Sequence, residues 1–122
     1  MTVTSIANAY VNLCKGGKFD ACLTELYSTD AVSVEAWAPP GVQLVANGLE
    51  AIRAKGKAWA DAHEIHKIEV SGPYPNEQRF AVRFSFDVTS TPTKQRMTMD
   101  EIGLFTVENG KIVREEFFYN AG

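Results

Sequence analysis

The sequence predicts an α+β roll, with N-terminal helices packed against one face of a curved, mostly antiparallel sheet. Three observations carry that expectation. Apolar residues recur at helical spacing through most of the first third of the chain. The stretch 79–88 then alternates, with Phe80, Val82, Phe84, Phe86 and Val88 on one face and Arg79, Arg83, Ser85 and Asp87 on the other. Two further strand-like runs, 96–107 and 111–119, follow after short turns. Such a meander has an aromatic face that needs a cover, and the helices are the cover available. The result is a cone, apolar inside and open at one end, where a ligand would sit.

Val3, Ile6, Ala7, Tyr10, Val11, Leu13 and Cys14 keep the spacing of one helical face, with Thr2 placed to cap it. Gly16-Gly17 ends that helix. Phe19, Cys22, Leu23, Leu26 and Tyr27 repeat the spacing in a second, shorter helix folded back on the first. From Ala31 to Trp37 the period changes to two, so a strand begins, and Pro39-Pro40-Gly41 turns the chain. Asn47, with Glu50 three residues on, reads as the cap of a third helix whose inner face is Leu49, Ile52, Gly56, Trp59 and His63. A glycine within that face is either tolerated or marks close approach of a backbone or ligand. Residues 65–70 form a strand closed by Gly72-Pro73-Tyr74-Pro75-Asn76. Residues 89–94 make the next hairpin, and Glu108-Asn109-Gly110 the last turn.

At 122 residues the chain is one domain spanning 1–122, with an ordinary globular composition of 45% hydrophobic and 22% charged residues. A net charge of -3 and the absence of clustered Lys and Arg argue against nucleic acid. The one basic cluster, Arg53, Lys55 and Lys57, reads as the solvated side of the third helix. There is neither a leader-like N-terminus nor a run long enough to span a membrane, so a cytoplasmic location without membrane association is expected. Cys14 and Cys22 occupy apolar helical positions and read as small hydrophobes rather than a disulfide or nucleophile. His63 and His66 straddle a helix end and a strand start without a third ligand in view, so no metal is expected. A histidine at a helix C-terminus is explained by the helix dipole.

Four polar residues stand out against the apolar pattern. Tyr10 places a hydroxyl on a buried stripe, where it must find a partner. Glu35 shares a strand face with Ser33 and Trp37, opposite Val32, Val34 and Ala36, and alternation leaves open which set points inward. Glu101 falls with Met97, Met99, Gly103, Phe105 and Val107, and Glu115 with Val113, Phe117 and Tyr119. Two carboxylates among aromatics are costly unless paired. They are either a coupled acid/base pair or partners of Arg83, Arg96 and Arg114 on the outer surface, and a bulge at Asp100-Glu101 would reverse the parity.

The runs Tyr10–Asp20, Asp30–Glu35, Asn47–Arg53 and Phe105–Val113 resemble the nuclear transport factor 2-like (cystatin-like) superfamily, in its SnoaL-like and ketosteroid isomerase-like branch. The resemblance runs nearly end to end and implies the conical roll and a homodimer paired through the outer sheet face. It implies little about activity, because isomerases, cyclases, dehydratases, epoxide hydrolases and non-catalytic binders share the fold. By resemblance to the isomerases, Tyr10 matches a tyrosine that donates to a developing oxyanion. Aligning on Asp30-Ala31 puts Glu35 at the general base, whereas aligning on Val34-Glu35 puts Ala36 there. The isomerases' second oxyanion donor aligns with Gly103, which cannot serve. The His and Asp set of the polyketide cyclases and the Asp-Arg-Asp set of the epoxide hydrolases are not recognisable.

The expected pocket is lined by Tyr10, Tyr27, Trp59, Phe84, Phe86, Phe105, Phe117 and Tyr119, with His63, Glu101 and Glu115 also on it and Trp37 near its mouth. One reading is an isomerase-, cyclase- or lyase-type enzyme that moves a proton on a small apolar carbonyl compound, with Glu35 as base and Tyr10 as donor and no cofactor. The alternatives are a binder of an apolar small molecule and a dimeric partner-binding module whose cone is filled by its own side chains.

Overall fold

Thr2 caps the first helix as its sequence implies, its side chain accepting a hydrogen bond from the Ser5 amide at 3.0 Å. The computed structural model describes residues 2–120, which form helices α1 (Val3–Lys15), α2 (Phe19–Leu26) and α3 (Leu49–Ala62). The strands are β1 (Tyr27–Val34), β2 (Val45–Asn47), β3 (His63–Asn76), β4 (Arg79–Ser90), β5 (Arg96–Glu108) and β6 (Lys111–Phe118). They make one six-stranded sheet in the order β2-β1-β6-β5-β4-β3. β1 and β6 are parallel and the other neighbours antiparallel. The α+β architecture is therefore the expected one, with the helices on the aromatic face.

The interior face of β4 is the predicted one: Phe80, Val82, Phe84, Phe86 and Val88 are all buried. α1 lies across them, with Ile6, Ala7, Tyr10, Val11 and Cys14 turned inward. Tyr10 meets the rings of Phe105 at 4.5 Å, Phe80 at 5.9 Å and Phe84 at 6.3 Å between centroids, distances at which aromatic pairs attract. Cys14 and Cys22 are buried free thiols 3.9 Å apart where α1 meets α2. Their mutual hydrogen bond, then burial, push the Cys14 thiol far above its usual range, which suits packing rather than reactivity.

Several boundaries differ from the sequence reading. Tyr27 begins β1 instead of ending α2, and β1 stops at Val34, short of Trp37. The short strand β2, which pairs with β1, is added. Gly48, not Asn47, caps α3, at φ 91° and without a side-chain hydrogen bond; Asn47 is instead held in β2 opposite Val32. β3 runs on through Gly72-Pro73 to Asn76 with a register shift between Ser71 and Tyr74. It can do so because β3 is an edge strand, where proline's missing N–H breaks no second ladder. Gly56 is exposed, and a Cβ there would meet nothing within 4 Å, so no close approach explains it.

Register on the last two strands decides what faces the cone. β4 and β5 pair without interruption from Arg79↔Thr106 to Thr89↔Arg96, so no bulge occurs at Asp100-Glu101. The irregularity lies later: Thr106 pairs with Arg114 but Val107 with Ile112, leaving Val113 as the extra residue. Ile112, fully buried, therefore takes the inward place expected of Val113. Beyond the bulge the alternation recovers, and Glu115 is turned inward at 4% exposure.

Candidate functional site

Beside the aromatic interior lies a polar cluster contributed by β1, α3, β5 and β6 and the segments that follow β1 and β6. Strand alternation in β1 carries Ala31 and Ser33 inward, both fully buried, and continues to a half-buried Glu35. The parity left open by the sequence is thus settled with Val32 and Val34 on the outer side. On α3, Lys55 lies three residues after buried Ile52 and four before half-buried Trp59, so its side chain follows the helix's inner edge.

These side chains form a continuous hydrogen-bonded chain. The Tyr27 hydroxyl donates to Glu115 Oε1, and Ser33 Oγ donates to Glu115 Oε2 at 2.6 Å. Lys55 Nζ donates to Ser33 Oγ and, at 2.6 Å, to Glu35 Oε2. The Tyr119 hydroxyl completes the chain on Glu35 Oε1 at 2.7 Å and also lies 3.3 Å from the Trp37 carbonyl oxygen. Lys55 Nζ sits 5.4 Å from the centre of the Phe117 ring, a favourable cation–π distance.

Electrostatics separates the three carboxylates. Burial pushes the Glu115 carboxyl up, opposed by its hydrogen bonds from Ser33 and Tyr27 and by the Lys55 charge. Glu35 is held by Lys55 and Tyr119. Glu101 differs: among the described residues no side chain hydrogen-bonds to it. Burial, then the charge of Glu35, push it up to about 7, with Lys55 pulling the other way. Burial and the Glu35 hydrogen bond raise the Tyr119 hydroxyl well above its usual range, so it acts as a donor. Tyr10 and Tyr27 are likewise raised, burial being the largest cause.

The remaining expected lining divides into two zones. Tyr10, Tyr27, Phe84, Phe86 and Phe105 are all buried and pack on neighbouring aromatic rings inside the cone. Trp59, 5.5 Å from the Phe86 ring, and Phe117 are half-buried, and Trp37 is 53% exposed. His63 caps α3, its Nδ1 2.8 Å from the Trp59 carbonyl oxygen and its ring stacked on Trp59. His66 contacts Thr89 instead, at 2.7 Å. Gly103 lets Phe105 and Phe117 close together, since a Cβ there would lie 2.8 Å from the Phe105 ring. Open, largely polar depressions at the β3–β4 tip, around Asn76 to Arg79, and over Lys67, Glu69, Ser85, Asp87 and Thr98 lie away from the buried carboxylates.

Two members of the cluster, Lys55 and Ser33, escaped the sequence reading. Arg53, itself half-buried, reaches out to exposed Asp20, and Lys57 behaves as a solvated-side residue beside Asp61. Lys55 does not, and its place between Ile52 and Trp59 at i+3 and i−4 was the available signal.

The sequence profile of the SnoaL-like domain matches residues 1–119. A protein from Mesorhizobium loti, provisionally described as a SnoaL-like polyketide cyclase, is 44% identical, with a TM-score of 0.92 over 98% of this chain and 100% of its own. The chain belongs to the SnoaL-like family. More distant structures share the fold. One is a provisionally described isomerase from Bacillus subtilis, at 18% identity and TM-score 0.79 over 98% of this chain and 90% of its own. Another is a Catenulispora acidiphila protein with a ketosteroid isomerase-like fold, solved with trimethylamine, at 15% identity and TM-score 0.74 over 98% and 88%. No curated protein matches the chain.

Proposed function

We propose that the chain is an acid/base enzyme of isomerase, cyclase or lyase type that takes a proton from a small, largely apolar carbonyl compound, with Glu101 as the base. The observation that carries this reading is the contrast within the cluster. Glu115 and Glu35 are each held by two hydrogen-bond donors, whereas among the described residues no side chain donates to Glu101, which stands on β5 opposite buried Phe84. A carboxylate near neutrality is suited both to accept and to return a proton. Glu35, matched to the base by family resemblance, holds Lys55 in this arrangement. Tyr10 packs behind Tyr27, with ring centroids 6.5 Å apart, and supports the buried end of the chain.

The test is exchange of α-protons for deuterium, followed by NMR, across apolar ketones, lactones and aromatic polyketides with catalytic amounts of protein. Exchange that is saturable and faster than in buffer for one class is the expected result. Absence of catalysed exchange across the panel, alongside thermal shifts on binding, would replace the enzyme by a non-catalytic binder.

The filled aromatic interior supports a second reading, a dimeric module for binding a partner. Ile102 and Phe118, opposite each other on β5 and β6, are 39% and 53% exposed on the outer sheet face. A homodimer through this face should sediment as twice the chain mass, and Phe118→Asp should return it to monomer; a wild-type monomer at micromolar concentration would dismiss the pairing.

A further inference from the structure

We propose that Lys55 is a catalytic residue of this site, its ammonium receiving the negative oxygen formed when a carbonyl substrate loses its proton. The inference rests on the acid/base reading above and adds the group that stabilises the charge. An ammonium has three donors. Ser33 Oγ and Glu35 Oε2 take two of them, and among the described residues no side chain takes the third. Lys55 is half-buried, fixed from two sides and set over the Phe117 ring, so the third donor is oriented before substrate arrives. Preorganised donors of this kind act where charge develops. Tyr10, the donor suggested by family resemblance, is packed among four rings at 5% exposure.

The step balances without a co-reactant. The substrate C–H bond breaks and its proton forms an O–H bond on Glu101. The C–H electron pair becomes the new C=C bond, and the carbonyl π pair moves onto oxygen, which accepts the Lys55 N–H. Where the substrate is a β,γ-unsaturated carbonyl compound the anion is a dienolate: its γ-carbon takes the proton back from Glu101, the oxygen pair re-forms the C=O bond and the C=C bond moves into conjugation, which completes an isomerisation.

Charge explains why the proton must stay in the site. Glu35, just past the end of β1, and Glu101 and Glu115, on β5 and β6, face Lys55, with the Tyr119 hydroxyl on Glu35. Three acids against one base disfavour entry of a ready-made anion. A neutral acid that hands its proton to Glu101 leaves the net charge unchanged, and its anion then occupies the oxygen position beside Lys55. Substrates should therefore enter neutral.

The probe is 4-nitrophenol, whose phenolate absorbs visibly and whose neutral form is colourless. Wild-type protein near pH 7 should bind it as the phenolate, and Lys55→Met should weaken phenolate binding roughly ten- to a hundredfold, the range for a hydrogen bond to a charged group. Lys55→Arg, which keeps the charge, should retain part of it and covers the case in which the methionine variant does not fold. Equal phenolate binding in wild type and Lys55→Met, or no phenolate bound by wild type, overturns the role of Lys55. Carboxyl-carbon NMR on the same samples follows Glu101 separately. A Glu101 titration near neutrality keeps the acid/base reading even where the Lys55 proposal fails, and its absence removes that reading.

Discussion

Glu101→Gln should sharply reduce catalysed proton exchange and at the same time make the protein more stable at pH 8. The carboxyl is pushed up to about 7 from its ordinary value of 4.5, burial being the main cause. A raised folded-state value means that the native protein binds this proton more tightly than the unfolded chain does. Below about pH 4 both states are protonated and the carboxyl carries no electrostatic penalty. As pH rises from there the unfolded chain ionises first, so stability falls, and the loss is complete once the pH exceeds the folded value. The full loss is at most about 3 kcal/mol, reduced by solvent at the mouth of the cone. Glutamine keeps the shape and never ionises. Its melting temperature should exceed that of wild type by several degrees at pH 8 and match it near pH 4, while exchange falls by about 10²- to 10⁴-fold. Calorimetry across pH together with the exchange assay gives both readouts. A pH-independent difference in melting temperature, or full exchange activity in the variant, would remove Glu101 as the base.

That trade-off locates the limit of what the sequence made legible. Alternation over 79–88 and the helical stripe from Val3 to Cys14 were readable because each is long, regular and apolar on one side, so burial enforces the register that the pattern implies. Alternation set Glu101 and Glu115 among apolar residues but left open whether they turned inward or met arginines on the outer surface, and for Glu101 the uninterrupted β4–β5 ladder decides it. The bulge at Val113 was not, because Ile-Val offers two equivalent apolar residues and only the pairing with Val107 decides which turns inward. Glu35 needed the partner strands, since Val32 and Val34 could equally have claimed the interior. Lys55 was hidden by composition. In a run with Arg53 and Lys57 it looks like solvated charge, although its stem lies along the buried edge and only its ammonium reaches the polar cluster. Ser33 has no sequence signal of its own. Its importance comes from Glu115, on a distant part of the chain, which needs a donor once it is buried.

Phe105→Ala should be the most damaging single truncation, costing about 3–5 kcal/mol, a large share of the roughly 5–15 kcal/mol that holds a domain folded. Phe105 is fully buried, stacked on Phe80 at 4.9 Å, tilted against Tyr10 at 4.5 Å and edge-on to Phe117 at 6.2 Å. It is also the cross-strand partner of Glu115, so it joins the aromatic interior to the polar cluster. Removing it leaves a dry void beside the ring that lies under Lys55, and the cluster loses its floor. Urea unfolding measures the stability loss, and exchange activity should fall with it even under conditions where the variant remains folded. The void should also bind small apolar molecules such as benzene, as dry engineered cavities do. Phe105→Leu, which refills much of the space, should recover a large part of the stability. A cost below about 1 kcal/mol for Phe105→Ala would fall outside the range for emptying a packed aromatic site. It would mean that the inner cone is loosely filled and has room for a ligand of its own, placing the binding zone deeper than the ring of Glu35, Lys55, Glu101 and Tyr119.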